Sequence, residues 1–192
     1  MTWSHMLRLA GLGVALGLHG CNPPSAPSST DAPPPPAQAP SSPAPAPAPN
    51  PRPLHLNHAQ PKLPTLKLWL GTNEVVAELA LKQTEIATGM MFRKSMGRDE
   101  GMLFVFGVPH QTGFYMRNTT VPLSAGYIDP EGIILEIHDL NPLEERPVMA
   151  ASDQIQYVLE MNQGWFKTNR VGVGTAIRTE VGTLRETFFR GR

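Results

Sequence analysis

The sequence predicts an α+β domain dominated by a mostly antiparallel sheet, curled into a small barrel and accompanied by one or two short helices. Six or more apolar or alternating runs of strand length follow one another after residue 65. Glycine, proline and asparagine separate these runs at short intervals, as turns between short strands require. Helical patterns are few and short, so the sheet is expected to dominate the fold.

Two strands are predicted at the start of this domain, at residues 66–70 and 75–81. The second alternates, with Val75, Ala77 and Leu79 on one face, which is typical of a strand. Gly71-Thr72-Asn73 between the two runs predicts a hairpin-like turn.

A short helix is predicted next, with Thr84 as its N-cap. Ile86 and Met90 lie four residues apart and would share one face of this helix. Glu85 would lie near the positive end of the helix dipole, where a carboxylate is favourable.

The later elements are again short. Strands are predicted at residues 101–106, 113–116, 125–128, 133–140, 155–161 and 173–181, with one helical turn at 165–169. Asp129, Pro130 and Gly132 occupy the first, second and fourth positions of a type I turn between two of these strands.

Composition divides the chain into segments 1–20, 21–64 and 65–192. Sixteen of the 21 prolines lie between Pro23 and Pro64. A segment of Pro, Ala and Ser cannot bury enough apolar surface to offset its ordering entropy. Residues 21–64 are therefore expected to form an extended, disordered tether, and residues 65–192 a single globular domain.

Residues 1–20 have the features of a secretory signal peptide. Arg8 is followed by an apolar stretch from Leu9 to Leu18. A buried helix is the alternative, but the glycines in this stretch weaken a helix.

The only cysteine lies where the apolar stretch ends. Leu18-His19-Gly20-Cys21 resembles the lipobox of bacterial lipoproteins, although the lipobox prefers a small residue where this chain has His19. The resemblance implies lipidation of Cys21 and attachment to a membrane through that anchor. Asn22 in place of Asp implies, by resemblance to the bacterial sorting rule, the periplasmic face of the outer membrane.

The charge balance excludes one class of partner. Lys+Arg and Asp+Glu each number 16, so the net charge is zero. This balance lacks the electrostatic footprint of a non-specific nucleic-acid binder, and no nucleic-acid partner is expected. No apolar run reaches the roughly 18 residues of a membrane-spanning helix, which argues against a polytopic membrane protein.

Several ordered blocks resemble one known family. They are Gly89-Met-Met-Phe-Arg93, Gly101-Met-Leu-Phe-Val-Phe106, Phe114-Tyr-Met-Arg-Asn-Thr119 and Tyr157-Val-Leu-Glu-Met-Asn-Gln-Gly-Trp165. Over residues 75–177 the chain is similar to the domain of unknown function 192 family. The resemblance implies a compact, β-rich α+β domain, often exported, with no established biochemical activity. The family often has Asp where this chain has Ser124.

Polar residues within the apolar blocks are the candidate ligand contacts. Arg93, Asn118 and Thr119 would converge on a polar or anionic ligand, because Arg offers a bidentate fork and Asn both donor and acceptor. The structural alternative is that Asn118 and Thr119 satisfy backbone groups where a strand ends. Asp129 is a further candidate contact, and an Asx-type contact in the turn before Pro130 also explains it.

Catalytic templates are weak in this sequence. No serine lies in a Gly-x-Ser-x-Gly context, and no HExxH, CxxC or Walker pattern is present. A hydrolase using Asp129 and His138 is kept as an alternative function. Seven methionines in the domain raise the question of Cu(I), but ordinary core packing explains them equally well. No metal and no cofactor is expected.

The sequence as a whole predicts a membrane-tethered envelope lipoprotein. The domain is expected to be a binding or assembly module for a polar small molecule or a cell-wall component. A structural partner of another envelope protein is the third possibility, and the sequence leaves that protein partner open.

Overall fold

The computed structural model describes residues 54–191. The predicted signal peptide, Cys21 and most of the predicted tether lie outside the described residues. The described residues form ten strands and three helices: β1 (Thr65–Leu70), β2 (Asn73–Ala80), α1 (Gln83–Thr88), β3 (Glu100–His110), β4 (Gly113–Phe114), β5 (Leu123–Ile128), β6 (Ile134–Leu140), β7 (Val148–Met149), β8 (Ile155–Asn162), α2 (Trp165–Thr168), β9 (Ile177–Thr179), β10 (Gly182–Thr183) and α3 (Leu184–Phe188).

Eight of these strands form one sheet in the order β10-β9-β1-β2-β3-β8-β5-β6, and β4 pairs with β7 separately. Every pairing in the large sheet is antiparallel except that of β2 with β3, which α1 connects. The sheet curls without closing into a barrel, and an isolated bridge joins Ile133 to Ala176 near its two ends. The β-rich α+β class with a mostly antiparallel sheet is confirmed.

Both faces of the sheet are covered in its middle strands. Leu103, Leu159 and Met161 belong to one core cluster, whereas Met102, Phe104 and Val158 belong to a second. Neighbouring side chains of a strand point to opposite faces, so a strand buried on both sides reads as one apolar run. This explains why all residues of β8 except Asn162 are buried.

The first helix begins two residues earlier than an N-cap at Thr84 would place it. Lys82 is the N-cap of α1, and the Glu85 carboxylate accepts hydrogen bonds from the backbone N–H groups of Leu81 and Lys82 at 3.0 Å each. The side chain that caps the start of α1 is therefore that of Glu85, which lies within the first turn of the helix. The helix ends at Thr88, so Met90 lies beyond it, although Met90 and Ile86 pack on the same core cluster.

The C-terminal region differs most from expectation. The strand predicted at 173–181 is shortened to β9, because a turn hydrogen bond joins the Thr175 N–H to the Gly172 carbonyl. A third helix, α3, follows. Its N-cap Thr183 and the Glu186 side chain form a reciprocal capping box.

The segment before β1 packs on the domain. Gln60 and Leu63 are buried, and the Leu56 N–H donates to Thr88 Oγ1 at 3.1 Å. Composition alone predicts that these residues belong to the extended tether, with the domain starting at 65. The structure instead holds them against the domain. Gln60 donates a hydrogen bond to the carbonyl of Gly89, and Leu63 belongs to the second core cluster. The carbonyls of Pro61 and Pro64 also accept hydrogen bonds.

Candidate functional site

A cavity of about 270 Å³ lies on the second face of the sheet. Its floor comes from β3 and β8, and its cover from α1, the turn that follows α1 and residues 112–119. The apolar side chains that line it are Ile86, Met90, Met91, Phe104, Phe106 and Phe114. Its volume is just below the roughly 300–1,000 Å³ of typical small-molecule sites, so it suits a compact ligand.

Glu160 is the one carboxylate on the wall of this cavity within the described residues. It lies near the end of β8, where its cross-strand neighbours are Met102 on β3 and Ala125 on β5. Only 4% of the residue is exposed, and its Oε2 atom has no hydrogen-bond partner. The cavity lining contains no Lys, Arg or His among the residues that the structure describes.

Burial raises the pKa of Glu160 to about 8, because the apolar surroundings disfavour its charged form. The carboxyl is therefore mostly protonated at neutral pH. A protonated carboxyl can donate a hydrogen bond, and on ionising it becomes a negative charge in an apolar site. Strongly raised carboxyl pKa values in a cavity are typical of functional groups.

The cover of the cavity depends on a single turn at Gly89. This residue has φ 46° and ψ −130°, and a side chain there would approach the Phe104 ring to 3.3 Å. Gln60 fixes the same turn from the N-terminal segment, because its Nε2 donates to the carbonyls of Gly89 at 2.9 Å and Glu85 at 3.2 Å. The segment 54–64 therefore acts as a strap over the end of α1.

Arg93 has a different role from the one its sequence context suggested. Its Nη1 and Nη2 atoms donate to the two carboxylate oxygens of Glu78 at 3.1 and 2.9 Å. Nη2 also donates to the Pro61 carbonyl at 3.3 Å, and the Leu63 N–H donates to Glu78 Oε2 at 2.7 Å. Its Nη1 and Nη2 atoms are thus engaged in holding the strap, and Arg93 lines a separate, much smaller cavity of about 30 Å³.

Of the expected contact residues, only Thr119 lines the larger cavity. Asn118 adopts a left-handed conformation with φ 56°, and its carbonyl accepts a hydrogen bond from the Phe92 N–H at 2.8 Å. Thr119 Oγ1 donates to the Arg117 carbonyl at 3.2 Å. Asn118 therefore shapes a turn beside the cavity, in keeping with the structural alternative.

Asp129 caps the turn between β5 and β6. Its Oδ1 accepts hydrogen bonds from the backbone N–H groups of Glu131 and Ile133 at 2.9 and 2.8 Å. His138 lies at the other end of β6, opposite Ala125, and its Nε2 is 2.9 Å from Glu136 Oε2. Four strand residues, or about 13 Å, separate the His138 position from the turn. The structure does not bring Asp129 and His138 together.

Ser124 stands where the family often has Asp. It is buried, its Oγ donates to Asp139 Oδ1 at 2.5 Å and accepts from the Gly164 N–H at 2.9 Å. Asp139 pairs with Ser124 across β5 and β6. A carboxylate pair at these positions would repel, so serine with Asp139 is a local solution that links β6 to the start of α2.

No group of three or more His, Cys, Asp or Glu residues suited to hold a metal ion occurs in residues 54–191. None of the helices in this part of the chain has the length and apolar character needed to cross a membrane.

The model of the domain of unknown function 192 family, described as an uncharacterised ACR, matches residues 67–179. The chain belongs to this family. No curated protein shows significant similarity to it. Two crystal structures resemble it.

One of these structures is a protein of Sinorhizobium meliloti described as "a putative transcription regulator". It is 29% identical, has a TM-score of 0.60, and the match covers 63% of this chain and 98% of that one. The other is a protein of unknown function from Novosphingobium aromaticivorans. It is 31% identical, has a TM-score of 0.57, and the match covers 60% of this chain and 86% of that one.

Glu160 is a site residue that the sequence patterns did not single out. It lies within the block Tyr157-Val-Leu-Glu-Met that carried the family resemblance, but it was not among the polar candidates. The signal that could have found it is an ionisable residue between Leu159 and Met161 in an otherwise apolar strand, because carboxylates are almost never fully buried without a partner.

Proposed function

We propose that this DUF192 domain is a binding module whose cavity takes a compact ligand with an apolar body and one polar group. The observation that carries the proposal is the buried, unpartnered Oε2 of Glu160 on the cavity wall. The sequence alone favours a polar ligand or a cell-wall component. The apolar lining shifts the proposal to a mainly apolar molecule.

The cost of Glu160 argues for a function rather than for packing. A buried polar group without a hydrogen bond costs about 1–3 kcal/mol on mutational scales, and a buried charge costs more. Methionine or leucine would fill the same space without that cost. A ligand that pairs with the carboxyl would offset it, which is why a buried orphan beside a cavity supports binding.

The hydrolase alternative has less support, because Asp129 and His138 are engaged in separate local contacts. A role in transcription, the description given to the Sinorhizobium meliloti protein, is not proposed for this chain, since its balanced charges do not suit DNA. The third possibility, that the domain is a structural partner of another envelope protein, would be favoured if the binding screen finds no ligand.

We also propose that the module works at a membrane surface, as an exported lipoprotein anchored through Cys21. The support is the lipobox resemblance at Leu18-His19-Gly20-Cys21 after an apolar stretch. Fractionation of cells that express Cys21→Ala should find the protein in the soluble fraction, with Ser25→Ala as the control that stays on membranes. An unchanged membrane fraction for Cys21→Ala would refute the anchor.

A thermal-shift screen of the purified chain against small apolar molecules with one polar group tests the binding proposal. Ala87→Phe should remove any response, because Ala87 lines the cavity and the larger ring would fill it. Thr84→Phe is the matched control, on the exposed side of the same helix. A ligand at about 100 times its Kd adds roughly 2.7 kcal/mol. Silence across the screen, with co-purification of an envelope protein, would favour the structural-partner alternative.

A further inference from the structure

Three phenylalanine rings line the same cavity as Glu160. Phe104 and Phe114 pack edge to face with ring centroids 4.8 Å apart, and Phe106 lines the same cavity. Phe114 also contacts Tyr127 at 6.1 Å between centroids. The electron-rich faces of such rings attract cations at distances up to about 6 Å.

Residues 54–191 supply no cation to Glu160. Within the described residues, the ionisable groups near it on the packed elements are Tyr115 on the cavity wall and Tyr127 on β5, and Tyr127 donates to the Val148 carbonyl. Burial raises the pKa of Tyr127, so it stays neutral in the physiological range. Farther along the same cross-strand row, Glu78 is held by Arg93, and His138 contacts Glu136.

We infer that the ligand of this cavity is a soluble organic cation, an alkylammonium group that pairs with Glu160 and packs against Phe104, Phe106 and Phe114. This inference rests on the proposed function and names its ligand class. The ammonium group would supply the counter-charge that the cavity lacks, and the rings would replace part of its hydration shell. The volume of about 270 Å³ limits the ligand to a small molecule.

Binding of a cation must be linked to proton release. The free carboxyl, with a pKa of about 8, is mostly protonated at pH 7 and has to ionise to pair with an ammonium group. Affinity for a quaternary ammonium ion should therefore increase roughly 50-fold from pH 6 to pH 8 and level off above that. A neutral ligand of the same shape should show no such increase.

Isothermal titration of the purified chain with choline and with its neutral isostere 3,3-dimethylbutan-1-ol tests the inference. The titrations would be run at pH 6, 7 and 8 in two buffers of different ionisation enthalpy, which reports the number of protons released. Glu160→Gln keeps the size of the side chain and removes its charge. Glu145→Gln, an exposed carboxylate, is the matched control.

We expect choline to bind at least tenfold more tightly than the neutral isostere at pH 8, with release of nearly one proton at pH 7. Glu160→Gln should weaken choline at least tenfold and leave the isostere unaffected, while Glu145→Gln changes neither. Equal binding of both compounds, insensitive to Glu160→Gln, would overturn the cation inference and leave the proposed binding function standing. If neither compound binds and the thermal-shift screen of the purified chain also finds no ligand, the proposed function fails as well.

Discussion

Glu78 and Glu160 lie in one cross-strand row, Glu78 opposite Met102 and Met102 opposite Glu160, on the same face of the sheet. Two strand spacings, or about 10 Å, separate their backbones. Glu78 has a two-point ion pair with Arg93, whereas Glu160 has no cation beside it among the described residues. Glu78 therefore has a structural role, whereas Glu160 is a candidate for ligand binding.

The first prediction concerns the pH dependence of stability. The pKa of Glu160 is about 8 in the folded state and near 4.5 in the unfolded chain, so the folded state binds the proton more tightly. The stabilisation that the protonated Glu160 gives the folded state is fully present below pH 4.5 and is lost as pH rises through 8. The loss is on the order of 5 kcal/mol.

Glu160→Gln removes this titration. Its free energy of unfolding, minus that of the wild type, should therefore increase steadily between pH 5 and pH 9 in urea denaturation. Glu145→Gln serves as the exposed control. A constant difference for Glu160→Gln across this range would show that the carboxyl titrates normally.

The second prediction concerns the ion pair of Arg93. Both partners are largely buried, with side-chain exposures of 18% and 13%, so Arg93→Ala leaves Glu78 uncompensated and frees the strap. We expect a destabilisation of about 2–4 kcal/mol and faster hydrogen exchange at the Leu63 amide.

Arg117→Ala is the matched control, since its ion pair with Glu145 is exposed and should contribute little to stability. Equal effects of the two variants would contradict a structural role specific to Arg93.

The third prediction concerns the turn at Gly89. Its φ of 46° with ψ −130° suits glycine, and a methyl group would also press on the Phe104 ring. Gly89→Ala should cost about 1–3 kcal/mol and reduce ligand binding, because the turn forms part of the cavity wall. Gly107→Ala, in a strand position with open space around it, should be close to neutral in thermal unfolding.

Much of this architecture could be predicted from the sequence. The strands of the large sheet follow apolar runs bounded by Gly, Pro and Asn, and β8 reads as a continuous run because both of its faces are covered. The helix α3 is not among the expected elements although Thr183-Leu-Arg-Glu186 is a capping-box signature, because the run up to Val181 favours a final strand.

The candidate site was less predictable. Arg93 and Thr119 lie close in sequence to residues that line the cavity. Only the three-dimensional contacts show that Arg93 forms an ion pair with Glu78. The importance of Glu160 depends on which face of β8 carries a cavity and on the absence of a neighbouring cation among the described residues. Neither can be obtained from a local pattern, since both depend on how α1 and residues 112–119 pack over the sheet.

The fourth prediction separates the turn role of Asp129 from catalysis. Asp129→Ala removes the acceptor for the Glu131 and Ile133 amides and should cost about 1 kcal/mol, without changing ligand affinity. Asp129→Asn keeps an acceptor oxygen and should restore most of that stability. Loss of a measurable hydrolytic activity in both variants, at unchanged stability, would instead revive the hydrolase alternative.

The central claim is that the cavity beside Glu160 takes a small organic cation, and NMR of methyl-labelled methionines tests it most directly. Met90 and Met91 line the cavity, whereas Met161 lies in the core cluster on the other face of the sheet. During a choline titration at pH 8, the methyl resonances of Met90 and Met91 should shift and saturate while that of Met161 stays in place. Methyl resonances that do not move, or that all move together, would contradict the claim.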